Sequence, residues 1–260
     1  MTLLEALLLG IVQGATEFLP VSSSGHLVIA QELLGVSEQG VVFEVAVHVA
    51  TLVSILAVYR FRVGELAVGA LRRDEAALRY VGLLVVATLP AAFVGLLFED
   101  AIEALFENPL APGVALLVTG LILWSSRRAL PSARGAVPTW GAALLIGVAQ
   151  AFALVPGISR SGSTVVAALW LGVAPREAAA FSFLMAVPAI AGAAVLQFGE
   201  LGLSGGPGTA ALAIGSAAAA VVGVLAIRTF VAMLSRESFH FFAPYCWIVG
   251  ALFLAYLGLR

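Results

Sequence analysis

The sequence predicts an all-α integral membrane protein with six transmembrane helices plus two re-entrant helical hairpins, arranged as an inverted-topology repeat. Three observations carry that expectation. Of 260 residues, 62% are hydrophobic and only 11% charged, with mean hydropathy +1.09, whereas a soluble domain is about a quarter charged. Apolar stretches of span length alternate with arginine-rich and arginine-free connections, which orders them across a bilayer. Finally, Leu8-Leu9-Gly10-Ile11-Val12-Gln13 echoes Leu145-Ile146-Gly147-Val148-Ala149-Gln150, and Ser22-Ser23-Ser24-Gly25 echoes Ser159-Arg160-Ser161-Gly162, both at an offset of 137 residues. The expected organisation is a single polytopic domain, 1–260, with one repeat over about 1–126 and the second over about 139–260.

The elements follow in order. An apolar helical pattern runs from Leu3 to Leu19, and Pro20 stops it because proline lacks the amide and clashes with the preceding turn. Val21 to Gly25 would leave backbone groups unpaired in lipid, so it is expected inside protein or beside a wet cavity; a short helix, His26 to Leu34, follows and ends at Gly35. The N-terminus has no basic region, carries Glu5 in its apolar run and shows no small-residue cleavage pattern, so a removable signal peptide is not expected. Val41 to Tyr59 reads as a full span closed by Arg60, Arg62, Arg72, Arg73 and Arg79, which mark the cytoplasmic side. Tyr80 to Phe98 crosses to an acidic, solvated linker holding Glu99, Asp100, Glu103 and Glu107, and Gly113 to Ser126 returns to Arg127, Arg128 and Arg134.

Arg176 to Phe198 then crosses outward to the arginine-free turn Gly199 to Gly208, Thr209 to Ile227 returns to Arg228 and Arg236, and Phe241 to Leu257 leaves again. Both flanks of Thr139 to Val173 therefore lie inside, so that segment must leave and return on one face. By the same accounting the N-terminal hairpin enters from the opposite face. Tyr59, Tyr80, Trp124, Trp140 and Tyr245 fall near span ends, where an aromatic belt sits.

The formal net charge of -2 offers no field for nucleic acid, and the single cysteine, Cys246, excludes an internal disulfide or a thiolate metal cluster. Charge placement says more. Gln13 and Glu17 are four apart on one helix face, and a carboxylate in an apolar chain marks a functional site more often than a packing contact. Ser22, Ser23, Ser24 and Gly25 precede a helix start, where free amides and the helix dipole attract anions, although serines there also serve as plain caps. Pro156-Gly157-Ile158-Ser159-Arg160-Ser161-Gly162-Ser163-Thr164 repeats the arrangement and adds a guanidinium suited to clamping phosphate oxygens; a structural pair of Arg160 with Glu17 is the alternative. His26 is a candidate general acid or base. Glu44 and His48, also four apart, either line the same cavity or pair with each other. Anion clamps on two loops, a carboxylate, an imidazole and hydroxyls form a phosphoryl-transfer set reached from the membrane, with a lipid-borne substrate.

Those residues resemble the undecaprenyl-diphosphate phosphatases, also called bacitracin-resistance proteins. Gln13-Gly-Ala-Thr-Glu17-Phe-Leu-Pro-Val-Ser-Ser-Ser-Gly-His26 is similar to the first signature of that family and Pro156-Gly-Ile-Ser-Arg160-Ser-Gly-Ser-Thr164 to the second, with length and hydropathy agreeing over essentially the whole chain. The resemblance implies hydrolysis of a polyprenyl diphosphate to the monophosphate and inorganic phosphate, recycling a lipid carrier for cell-wall glycan synthesis and conferring bacitracin resistance. It implies a plasma-membrane site opening to the outer face, with catalytic roles for Glu17, Ser23, His26 and Arg160. Ser22, Ser24, Gly25, Ser159, Ser161, Gly162 and Thr164 are the expected phosphate-binding residues. A divalent cation, Ca or Mg, is the cofactor the resemblance implies, with Glu17 and Gln13 as its protein ligands; Gln13 stands where many relatives have Glu, which weakens that position as a ligand or base. Ser23 or a water is the nucleophile. The expected partners are the polyprenyl diphosphate and the membrane, with a homodimer as the assembly and no nucleic acid. Inverted repeats are also a transporter architecture, so a lipid-phosphate flippase, an anion transporter or an anion channel using the same site is the rival reading.

Overall fold

In the computed structural model, residues 1–34, 40–197 and 208–259 are described. Gly35 and the turn from Gly199 to residue 207 lie outside them, as does Phe198. The described chain is helical, with one isolated bridge between Gly135 and Val173. Twelve α-helices are named in chain order: α1 Leu3–Phe18, α2 Ser23–Leu34, α3 Gly40–Val58, α4 Arg60–Leu71, α5 Glu75–Leu97, α6 Glu99–Glu107, α7 Leu110–Ala129, α8 Trp140–Phe152, α9 Arg160–Trp170, α10 Pro175–Gln197, α11 Thr209–Ser235 and α12 Phe242–Gly258.

Five of the described helical stretches are long and apolar enough to cross a membrane, or six if α3 and α4, which meet at 82°, count as one bent span. Rows of exposed apolar side chains such as Leu89 and Phe93 on α5, Val221 and Leu225 on α11 and Leu252 on α12 fit a lipid-facing surface. This is a multi-pass membrane protein.

Several boundaries differ from those read in the sequence. The arginine-bearing stretch after α3 is helix rather than loop, because α4 continues it after a sharp bend, and α5 begins at Glu75, where Asp74 caps it by accepting the Ala77 amide at 2.9 Å. The acidic linker forms α6, which has no buried residue. α11 runs to Ser235, so Arg228 sits on a helix rather than in a loop. Tyr80 is no belt residue: it is buried, edge-on to Phe181, with the Arg62 guanidinium over its ring. α2 starts at Ser23 rather than His26, which places Ser23, Ser24 and Gly25 in its first turn.

Small residues set how the helices meet. α1 packs on α11, where Gly10 faces the Gly215 carbonyl and Gly14 the Ala219 carbonyl; α8 packs on α5, where Gly147 faces the Ala87 carbonyl. Backbones approach this closely only where neither residue presents a bulky side chain. α3 lies against α11 through Ser54, whose hydroxyl donates to the Ala220 carbonyl at 2.8 Å, and α10 bridges α3, α5 and α9. α7 packs along α12, with Gly120 against Trp247. At roughly 1.5 Å per residue, α1, α2, α8 and α9 are each too short to span a hydrocarbon core of about 30 Å. Their inner ends meet within the bundle.

Candidate active site

The chain leaves α1 at Phe18 and re-enters helix at Ser23, with Ser22 at φ +69°, a left-handed conformation that serine seldom adopts. The Ser22 hydroxyl accepts the Gly25 amide at 3.3 Å, closing the start of α2. Ser159 closes α9 in the same way, accepting the Gly162 amide at 3.0 Å. Between Phe152 and Ser159 the second loop turns at Gly157, φ +97°, a conformation glycine adopts without steric cost. Thr119 of α7 fixes that turn by donating to the Gly157 carbonyl at 2.8 Å and accepting the Ser159 amide at 3.0 Å. The loops touch through their glycines: a Cβ on Gly25 would stand 3.0 Å from the Gly157 Cα.

Glu17, 7% exposed at the end of α1, is the centre of this contact. One carboxylate oxygen accepts from the Arg160 guanidinium, which arrives from the start of α9. The other accepts the Ser23 hydroxyl at 2.5 Å and the Gln13 side-chain amide at 3.2 Å, and lies 3.8 Å from His48 Nε2. Among the described residues, two buried atoms around the carboxylate have no partner: Arg160 Nη1, a donor, and Gln13 Oε1, an acceptor. An unmet buried polar group costs more than a made hydrogen bond returns, and an anionic ligand oxygen would satisfy the guanidinium. This is a cationic clamp, a hydroxyl and a carboxylate within one contact, drawn from two loops that are 137 residues apart in sequence.

The sequence profile of the family described as bacitracin resistance protein BacA matches residues 6–252. The chain belongs to this family. Similar relatives include the undecaprenyl-diphosphatase of Rubrobacter xylanophilus, 43% identical with 98% of each chain covered. That of Syntrophotalea carbinolica is 42% identical, covering 98% of this chain and 99% of the relative. That of Desulfatibacillum aliphaticivorans is 39% identical, covering 96% and 97%.

In this BacA family member the expected residues divide. Glu17, Ser23, Arg160 and Gln13 come together. His26 does not reach Glu17 by any hydrogen bond or ion pair among the described residues. Its Nδ1 is anchored 2.9 Å from the Ser22 carbonyl one turn back, which swings Nε2 to within 2.8 Å of the Tyr245 hydroxyl on α12, and the two rings stack with centroids 5.6 Å apart. Thr164 also turns away, donating to the Arg160 carbonyl at 2.7 Å and lying 2.6 Å from the Ser182 hydroxyl of α10. Ser22 and Ser24 lie 3.2 Å apart, and Ser159 and Ser161 3.3 Å apart, so these four hydroxyls first of all shape the helix starts.

His48 is the member that sequence reasoning left open. Glu44 pairs with the Gln31 amide at 2.9 Å, while its backbone carbonyl lies 2.7 Å from His48 Nδ1. A carbonyl can only accept, so Nδ1 carries the proton and Nε2 is the nitrogen turned to Glu17. The i, i+4 spacing of Glu44 and His48 was the available signal; nothing in it tells that α3 passes beside α1. Tyr245, read as belt, was masked by its place near a span end.

For the implied divalent cation, the site offers Glu17 and the open Gln13 Oε1. Among the described residues no group of three or more His, Cys, Asp or Glu side chains gathers to hold a metal. One carboxylate plus one amide oxygen suits a hard cation whose other ligands are substrate phosphate oxygens and water, rather than a protein cage.

Proposed function

We propose that this BacA family member is a membrane phosphatase that hydrolyses undecaprenyl diphosphate to the monophosphate and inorganic phosphate, the activity named for its relatives. What carries the reading is one carboxylate, Glu17, shared between the Ser23 hydroxyl and the Arg160 guanidinium. The terminal phosphate binds Arg160 through the unpartnered Nη1, and the first-turn amides of α2 and α9 with Ser22, Ser24, Gly25, Ser159, Ser161 and Gly162 cradle its oxygens. As the guanidinium turns to phosphate, Glu17 loses part of its counter-charge and becomes a better base. Glu17 takes the Ser23 proton; Ser23 Oγ bonds to the terminal phosphorus, the anhydride P–O bond breaks, and the proton passes to the departing monophosphate. Water then attacks the phosphoserine, giving its proton to Glu17, which returns one to Ser23 Oγ as inorganic phosphate leaves. His48, when Nε2 carries a proton as well as Nδ1, puts a positive charge 3.8 Å from the Glu17 oxygen that faces Ser23. A divalent cation, when bound by Glu17 and Gln13, would supply charge neutralisation to the diphosphate.

Six spans, with α1–α2 and α8–α9 as re-entrant hairpins of two inverted repeats, complete the reading. The shortness of those four helices, the 137-residue offset and the reciprocal packing of α1 on α11 and α8 on α5 support it. Arginine placement supports an orientation in which α1–α2 enters from the outer face, and a plasma-membrane site open to that face is part of the same reading. Purified protein with a long-chain prenyl diphosphate should release phosphate, whereas a carrier or channel would release none. Rapid quenching with substrate labelled in the terminal phosphate should trap phosphoserine at Ser23; solvent oxygen entering phosphate with no enzyme-bound intermediate would replace the serine route by direct attack of water.

A further inference from the structure

A second cationic site lies away from Glu17. Where α4 leaves α3 at 82°, a shallow cavity of about 480 Å³, open at the surface, lies between that corner, the start of α10 and the end of α11. Arg176, Arg228 and Arg236 line it, with Tyr59 and Ser235, over an apolar wall of Val58, Val231 and Ala232. None of the three arginines makes an ion pair among the described residues; Arg176 Nε donates to the Ser235 hydroxyl at 3.4 Å, which ties α10 to the end of α11. Glu177 and Glu237 neighbour Arg176 and Arg236 in sequence, but among the described residues the lining itself holds three arginines and no carboxylate.

Neighbouring arginines are otherwise engaged. Arg60 lies over the Phe61 ring and Arg62 over Tyr80 and beside Glu65. The cavity is also separate from Glu17: Phe18, next to Glu17, meets Phe183, which in turn meets Tyr59 and Phe230, so a block of rings stands between the two.

We propose that this cavity binds the phosphate headgroup of an anionic lipid. Guanidinium groups are suited to phosphate oxygens, and basic pockets between membrane helices select phosphate-bearing headgroups. The apolar wall argues for an amphiphile over free phosphate, because Val58, Val231 and Ala232 offer a free anion nothing but would lie along the glycerol and first methylenes of a lipid. The inference is independent of the phosphatase reading, since no residue is shared.

Native mass spectrometry of detergent-purified protein titrated with phosphatidic acid or phosphatidylcholine tests it. The wild type should retain one phosphatidic acid in preference to phosphatidylcholine, and Arg176→Gln with Arg228→Gln should weaken that retention by on the order of tenfold or more, given about 1 kcal/mol per cation. Arg72→Gln with Arg73→Gln removes equal charge elsewhere and should leave retention unchanged. Both double variants should elute as one species and unfold in detergent at the wild-type temperature, which confirms that they fold. Equal loss in the two double variants, or none in the first, overturns the site; displacement of the lipid by an equimolar amount of inorganic phosphate overturns the lipid assignment.

Discussion

The two loops share a scaffold and differ in chemistry. Ser22 caps Gly25 as Ser159 caps Gly162, the serine pairs 22–24 and 159–161 close to within 0.1 Å of each other, and both helices begin on the next residue. At that first helical position one loop has Ser23 and the other Arg160, and both reach the same Glu17. Glu17 itself corresponds to Leu154, and His26 to Ser163. In the proposed reading the residues common to both loops build a place for an anion, and the positions where the loops differ supply nucleophile, base and clamp.

The sharpest way to break that division is to cut one differing and one shared residue. Arg160→Ala should lower kcat/KM by roughly 10³-fold, since it removes the clamp and leaves Glu17 buried without its counter-charge. Arg160→Lys should recover part of this, because a point charge lacks the planar fork. Ser161→Ala, at a shared position, should stay within about tenfold, the loss of one modest hydrogen bond. Steady-state kinetics in detergent decide it, and near-full activity of Arg160→Ala would sink the division of labour.

The two histidines offer the next contrast. His48→Ala should reduce kcat by about 10- to 100-fold, the loss of one interaction with a charged group, and more than His26→Ala, whose ring contacts Ser22 and Tyr245 instead of Glu17. His48→Gln places an amide donor toward Glu17 in place of the imidazole and should recover much of the loss. A larger deficit in His26→Ala would restore His26 to the centre.

How much was legible follows from the same residues. Glu17 and Arg160 stood out because charge is rare in an apolar chain, and the 137-residue offset gave their loops a common register. Hydropathy also marked the membrane spans. It did not mark α4 or α6, since a polar helix and a polar loop have the same composition and differ by caps such as Asp74. His48 and Tyr245 needed tertiary packing: which face of α3 or α12 turns inward depends on Ser54, Gly113, Gly120 and their neighbours, and helical periodicity is weak where lipid accepts an apolar residue on any face.

The glycine contacts allow a milder test of the scaffold. Gly10→Val and Gly147→Val should each cost about 1–3 kcal/mol by overpacking against a backbone carbonyl. Gly141→Ala, with nothing within 4 Å of an added Cβ, should be neutral. Thermal unfolding in detergent reads both. A penalty at Gly10 alone would mean that α8 and α5 can separate where α1 and α11 cannot.

The smallest effect is the most discriminating. Gln13 and Gln150 are equivalent by register, and both are buried. Gln13 donates to Glu17 with its Oε1 open, whereas both amide atoms of Gln150 lack a partner among the described residues, Leu154 standing where a carboxylate would be. Gln13→Leu therefore removes a bond to the base and should lower turnover by about tenfold. Gln150→Leu replaces two unmet polar atoms by apolar volume and should leave turnover unchanged while raising stability by about 1 kcal/mol or more. Turnover falling as far in Gln150→Leu as in Gln13→Leu would show that the second copy still holds a ligand, and that divergence at Leu154 did not retire its glutamine.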